Sequence, residues 1–138
     1  MRLLSLAAAL VLSSACALIS CGPPIKNTPI PEIASLTTLT DVMDNQATTA
    51  DPQFKKIGSD KFTDEDFAAF AAAAERLVAT GQKTKDFSKG PEFDALALRI
   101  KEKAEALGKA AAAKDGAAAN TALTEMKATC KECHSKFR

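Results

Sequence analysis

The chain has 138 residues, of which 46% are hydrophobic and 25% are charged, and this is material for one compact domain with one core. Its 18 basic and 17 acidic side chains nearly cancel. A nucleic-acid-binding protein needs an excess of lysine and arginine on one face, so the charge balance argues against nucleic acid as a partner. Alanine is abundant and β-branched residues are scarce after residue 50, which predicts helices rather than a sheet.

The start of the sequence has the pattern of an export signal. Arg2 supplies a positive charge and residues 3–19 contain no charged side chain, as in the n-region and h-region of a secretory signal. Residues 18–21, Leu-Ile-Ser-Cys, resemble the lipobox at which bacterial lipoproteins are cleaved before the cysteine. We therefore expect a lipid on Cys21 that anchors the protein to a membrane in the bacterial periplasm. The alternative is an ordinary secretory signal that is cleaved after Ala17.

A proline-rich spacer is expected between the signal and the folded domain. Residues 21–31 contain four prolines, which favour extended polyproline II structure at about 3.1 Å per residue. A disordered leader is the alternative. The sequence thus divides into a signal peptide over 1–20, the lipidated cysteine and tether over 21–31, and a folded domain over 32–138.

Apolar residues recur at spacings of three and four in four segments, and each segment predicts an amphipathic helix. The first helix is expected from Pro31 until Asp51-Pro52 ends it. The second is expected to open with a capping box at Thr63 and to stop at Gly81. The apolar positions of these two helices are Ile33, Leu36, Leu39, Met43 and Ala47, then Phe67, Phe70, Ala71, Ala74, Leu77 and Val78.

The third helix is expected to begin with Pro91 and to fade at residues 114–116. The fourth follows after a short linker, so the last two helices should be antiparallel neighbours. The predicted fold class is all-α, an up-and-down antiparallel four-helix bundle. The apolar positions of the last two helices are Phe93, Leu96, Ile100, Ala104, Leu107 and Ala111, then Ala119, Leu123, Met126, Cys130, Cys133 and Phe137.

The strongest chemical signal lies in the last nine residues. Cys130, Cys133 and His134 form a Cys-x-x-Cys-His run, the attachment signature of c-type haem, in which two thiols add to vinyl groups and the histidine ligates iron. Steps of three and four residues return to the same helix face, so all three side chains can reach one ring. We therefore expect one covalent haem c, bound by these three residues.

Other uses of the same residues are less well supported by the sequence. A disulfide between Cys130 and Cys133 would suit a thioredoxin-type protein, but no βαβ unit is visible. A zinc site needs four ligands, and beyond this motif the expected mature chain has only Cys21 as a further thiol. A structural histidine beside two core thiols is the third alternative. A serine hydrolase would require His134, which the motif already uses, so we do not expect an enzyme.

A helical domain with this motif near its C-terminus resembles the class II cytochromes c, the cytochrome c′ type. The ending fits closely, because that family often places an aromatic residue three positions after the histidine, here Phe137, and a basic residue four after it, here Arg138. The resemblance covers residues 32–138 and implies a four-helix bundle. It departs from the family in one respect: residues 32–50 contain no lysine or arginine, whereas the family commonly has a basic residue there, near the haem propionates.

The resemblance also implies that the first helix covers the distal face of the haem, with Met43 as the candidate sixth ligand in residues 39–43. Met126 lies on the same helix as His134 and is expected to pack instead. If Met43 ligates iron, the haem is six-coordinate and suits electron transfer. If Met43 is only a core residue, the haem is five-coordinate and can bind small gases.

The expected function is therefore a membrane-tethered periplasmic electron carrier with one haem, and the alternative is a protein that binds NO or CO. Expected partners are redox proteins, and the membrane through the N-terminal lipid. Homodimers are common in the resembling family, and the first two helices could mediate one. A basic cluster around the motif either guides an acidic redox partner or is a solvated helix face; its members are Lys127, Lys131, Lys136 and Arg138.

Overall fold

The computed structural model describes residues 27–138, and this part of the chain forms four α-helices and two short 3₁₀ helices. The predicted signal peptide and Cys21 lie outside the described residues. The 3₁₀ helices span Ile30–Ser35 and Lys85–Phe87. The α-helices are α1 (Leu39–Phe54), α2 (Asp64–Thr84), α3 (Pro91–Ala112) and α4 (Gly116–Phe137).

Contacts between the helices confirm an antiparallel bundle. Between α3 and α4, Arg99 pairs with Glu132 at 2.8 Å and Lys103 with Glu125 at 2.6 Å, so residue numbers rise on one helix as they fall on the other. The helices α1 and α2 are antiparallel as well, because Gln46 of α1 bonds to Thr84 and Lys56, just after α1, pairs with Asp66. The chain thus runs up and down through four neighbouring helices, as predicted.

The main core lies between α2, α3 and α4. Its largest members are fully buried aliphatic and aromatic side chains, and Met126 belongs to it, which confirms the expectation that this methionine packs. Of the buried residues of α1, only Ala50 is part of this cluster. No helix in residues 27–138 is long and apolar enough to cross a membrane. The other large members of the core are Phe67, Phe70, Leu77, Ile100, Leu107 and Leu123.

The prediction of one helix from Pro31 to Pro52 was wrong at both ends. The segment Ile30–Ser35 is a 3₁₀ helix, and α1 begins only at Leu39, because the Thr38 side chain caps it by accepting from the Asp41 amide at 3.1 Å. Pro52 does not end the helix, which continues to Phe54. A proline in the last turn removes only one hydrogen bond, so the helix can extend two residues beyond it.

Gly81 was also misread as a helix stop. The capping box predicted at Thr63 is present, but α2 continues through Gly81 to Thr84. Gly81 is buried against α3, and a Cβ atom placed there would lie 3.3 Å from the Cβ of Lys101. The glycine therefore allows two helices to approach closely rather than ending one of them.

Of the predicted apolar stripe of the first helix, Ile33 is buried as expected, but Leu39, Met43 and Ala47 do not face the core. On α1 the buried residues are Val42, Asn45 and Ala50, whereas Met43 is half-buried and Ala47 is exposed. Leu39, Met43 and Ala47 line an open space between α1 and α4. In α2, Ala71 was assigned to the core but is exposed, and Ala73 is buried instead.

Candidate haem site

An apolar cavity separates α1 from α4, two helices that make few contacts with each other. It has a volume of about 250 Å³ and adjoins a second cavity of about 460 Å³ toward the end of the bundle. Cofactor pockets are typically roughly 300–1,000 Å³. The same four side chains line both cavities, so we treat the two as one site; these are Met43, Ala47, Cys133 and His134.

The structure brings together four of the five residues proposed from the sequence. Cys130, Cys133 and His134 lie on one face of α4, in its last two turns, and Met43 reaches the same space from α1. Cys130 lines only the inner cavity, and Cys133 and His134 line both. The fifth residue, Cys21, lies outside the described part of the chain.

The two thiols are free and held in their neutral form. Burial is the main factor that raises the pKa of Cys130 to about 11, and the neighbouring Cys133 and Asp51 add to the rise. Burial also raises the pKa of the Cys133 thiol, against the opposing effect of the Lys89 ammonium. Both side chains are therefore thiols at neutral pH, and no disulfide joins them.

The residues around the cavity fit a flat, largely apolar ring that is attached to two thiols along one of its edges. The inner walls are formed by hydrophobic side chains of all four α-helices, and the thiols and the imidazole all project from α4. No cluster of three metal-binding side chains occurs in residues 27–138, so the described residues do not provide the zinc site weighed as an alternative. The apolar wall residues include Phe54, Leu77, Leu96, Ile100 and Met126.

Sequence reasoning missed the contributions of two segments. Phe54 lines the inner cavity, with the Lys127 ammonium 5.8 Å from the centre of its ring, yet Phe54 follows the proline that was expected to end the helix. Lys89 and Phe93 line the outer cavity from the link between α2 and α3 and from the start of α3. Nothing in the local sequence marks Lys89 as a site residue, because its position depends on how distant segments pack.

The predicted basic cluster is divided in the structure. Lys136 forms ion pairs with Glu92 and Glu132, so its charge is largely neutralised. Lys127 and Lys131 line the inner cavity and Arg138 lines the outer one. Among the ion pairs of residues 27–138, none involves these three side chains.

Two comparisons with known proteins gave a match. A family model described as Cytochrome C′ matches residues 34–138. The cytochrome c′ of Pararhodospirillum photometricum is 39% identical over 71 residues, which cover 51% of this chain and 57% of that protein. The match thus spans little more than half the length of this relative. No solved structure matches the chain significantly. Because the family match extends over most of the sequence and includes the whole site, the chain belongs to the cytochrome c′ family and binds a covalent c-type haem.

Proposed function

We propose that this chain is an electron carrier whose haem is held by Cys130, Cys133 and His134 and closed on its other side by Met43. The observation that carries the proposal is that Met43, on α1, lines the same two cavities as His134, on α4. A bound c-type haem supplies a one-electron Fe(III)/Fe(II) couple. A thioether from one helix and an imidazole from another would leave no open coordination position, which favours electron transfer over ligand binding.

The chain's own residues set the environment of this couple. The apolar walls exclude water, and a low-dielectric surrounding disfavours the charged forms of a buried group. Lys89 and Arg138 line the outer cavity beside Leu39, with the Lys89 ammonium donating to the Phe137 carbonyl, and these basic groups could pair with the two haem propionates. They would replace the basic residue that the first helix lacks.

A binding function for NO or CO is the second candidate, and one observation favours it. Met43 is only half-buried and the inner cavity continues past it to Leu77 and Ile100. A small apolar gas could occupy that space if the methionine did not ligate iron.

Lys127 and Lys131 lie at the inner cavity in both cases, and in an electron carrier they would attract an acidic redox partner.

The optical and EPR spectra of the purified holoprotein separate the two functions. An electron carrier with His/Met ligation shows a low-spin ferrous α-band and, when oxidised, a methionine-to-iron charge-transfer band. A high-spin spectrum in both oxidation states, changed on addition of CO, would contradict the carrier and support the gas-binding protein.

We also propose that the lipid on Cys21 tethers the domain to a membrane in the periplasm, where redox proteins are its partners. Cell fractionation of the wild-type protein and a Cys21→Ser variant tests this anchor. The wild type should be in the membrane fraction and should carry acyl groups by mass spectrometry. A wild-type protein found without acyl groups in the soluble periplasmic fraction would contradict the anchor.

A further inference from the structure

Hydrogen bonds fasten the segment before α1 to the bundle near its start. We call residues 27–38 the strap. The Thr28 amide donates to Asn45 Oδ1 at 2.9 Å, and Asn45 Nδ2 donates to Thr28 Oγ1 at 3.2 Å and to the Asp41 carbonyl at 2.8 Å. Arg76 of α2 donates to the Thr28 carbonyl. We call Thr28, Asn45 and Arg76 the latch, since together they connect the strap, α1 and α2.

The residue at the centre of the latch is almost completely buried. Asn45 is only 1% exposed, and both polar atoms of its side chain have partners. A buried amide is costly unless it is hydrogen-bonded, so these bonds specify one position of the strap on α1. Ile33, 2% exposed, adds a buried apolar contact to the same segment.

The half of α1 that carries Met43 is held outside the main core, although Val42 in it is fully buried. The helix α1 packs on α2 but makes few contacts with α4, because the cavity lies between them. Ala50, in the second half of α1, joins the main core, and Val42, in the first half, does not. The first half is therefore held mainly by α2 and the strap.

Met43 and Asn45 project from opposite sides of α1. Two residues along an α-helix correspond to a rotation of about 200°, so one side chain lines the cavity while the other is buried under the strap. A shift of α1 that loosens the latch would release Met43 from its position over the cavity. The latch thus connects the strap to the distal side of the haem site.

We propose that Asn45 is a positioning residue: by locking the strap onto α1 and α2, it holds Met43 over the cavity and limits access of small ligands to the iron. The proposal rests on the proposed function for the presence of haem in this cavity. It adds that Asn45, which does not line the cavity, affects the sixth coordination position of the iron.

The rate of CO association with the ferrous holoprotein tests this proposal. If Met43 ligates iron, CO can bind only after the thioether has dissociated. If Met43 does not ligate iron, CO must still pass the α1 side chains that line the cavity. Asn45→Ala removes all three hydrogen bonds of that side chain, so we expect it to raise the rate about tenfold or more. Thr28→Val removes one latch bond, so its rate should be intermediate.

Thr80→Val is the matched control. Thr80 is 0% exposed, and its hydroxyl bonds only to carbonyls of its own helix, those of Arg76 and Leu77. This variant also removes a buried polar group from the α2 side, but it leaves the strap attached. Its CO rate should stay within about twofold of the wild type, even if urea unfolding shows a similar loss of stability.

Two results would overturn the proposal. One is an Asn45→Ala protein that binds CO at the wild-type rate, and the other is a Thr80→Val protein accelerated as much as Asn45→Ala. If Asn45→Ala does not fold, Thr28→Val decides the question against the same control. A wild-type protein with a high-spin spectrum would remove Met43 as a ligand, while the ranking of CO rates would still test the latch.

Discussion

Met43 is the residue on which the choice between the two functions depends. It is half-buried and lines both cavities opposite the motif. We expect Met43→Ala to convert a low-spin haem to a high-spin one and to lower the reduction potential, because a thioether ligand raises it. Absorption, EPR and potentiometry measure this. Leu123→Met is the control, since Leu123 is buried in the core on the same helix as the motif but lines neither cavity, and a volume-conserving change there should leave the spectrum unaltered.

The two motif thiols should differ in reactivity before haem attachment. Burial raises the pKa of Cys130 to about 11 and shifts that of the less buried Cys133 in the same direction. Only the thiolate reacts with iodoacetamide, so in haem-free chain Cys133 should be alkylated first, and the Cys130 rate should keep rising until about pH 11. Peptide mass spectrometry measures both rates. Equal rates, the same as those in urea, would show that neither thiol is buried as described.

At the scale of a single element, the capping box of α2 is a direct test of the local structure. Thr63 Oγ1 accepts from the Asp66 amide at 3.2 Å, and Asp66 Oδ2 accepts from the Thr63 amide at 2.9 Å. Thr63→Ala should lower the free energy of unfolding by about 1 kcal/mol. Urea denaturation measures this, with Thr121→Ala, an exposed threonine inside α4, as the control that should change little.

The contribution of this capping box to the stability of the fold depends on pH. A hydrogen bond from Lys56, followed by that from the Thr63 amide, lowers the pKa of Asp66. An acid with a lowered pKa stabilises the fold above its unfolded pKa, and this contribution disappears as the pH falls through its folded pKa. The stability difference between wild type and Asp66→Asn should therefore be largest near neutral pH and shrink in acid. A difference that is constant with pH would contradict this assignment.

Helix number, order and direction could be predicted because periodicity and capping are local properties. The errors arose where one residue type serves two purposes. Leu39, Met43 and Ala47 repeat like core residues, but they line a cavity, and an apolar stripe looks the same in both roles. Gly81 looks like a helix stop, but it allows α2 and α3 to approach closely, which depends on a partner helix that the local sequence does not show.

At the scale of the whole molecule, the site results from uneven packing of the bundle. The helices α2, α3 and α4 share the main core, while α1 leaves a gap toward α4. The motif could be identified from the sequence because its three residues are adjacent on one helix. The cavity, Lys89 and the latch could not, since each depends on contacts between segments far apart in the chain.

The proposed electron transfer and the proposed role of the latch both depend on haem attachment through the two cysteines of α4. Intact-mass analysis of the protein matured in its own host, with mass spectrometry of the peptide that contains residues 130–134, tests this most directly. We predict the added mass of one haem on that peptide, and its loss in a Cys130→Ser, Cys133→Ser double variant. Unmodified thiols at both positions in the mature wild-type protein would contradict it.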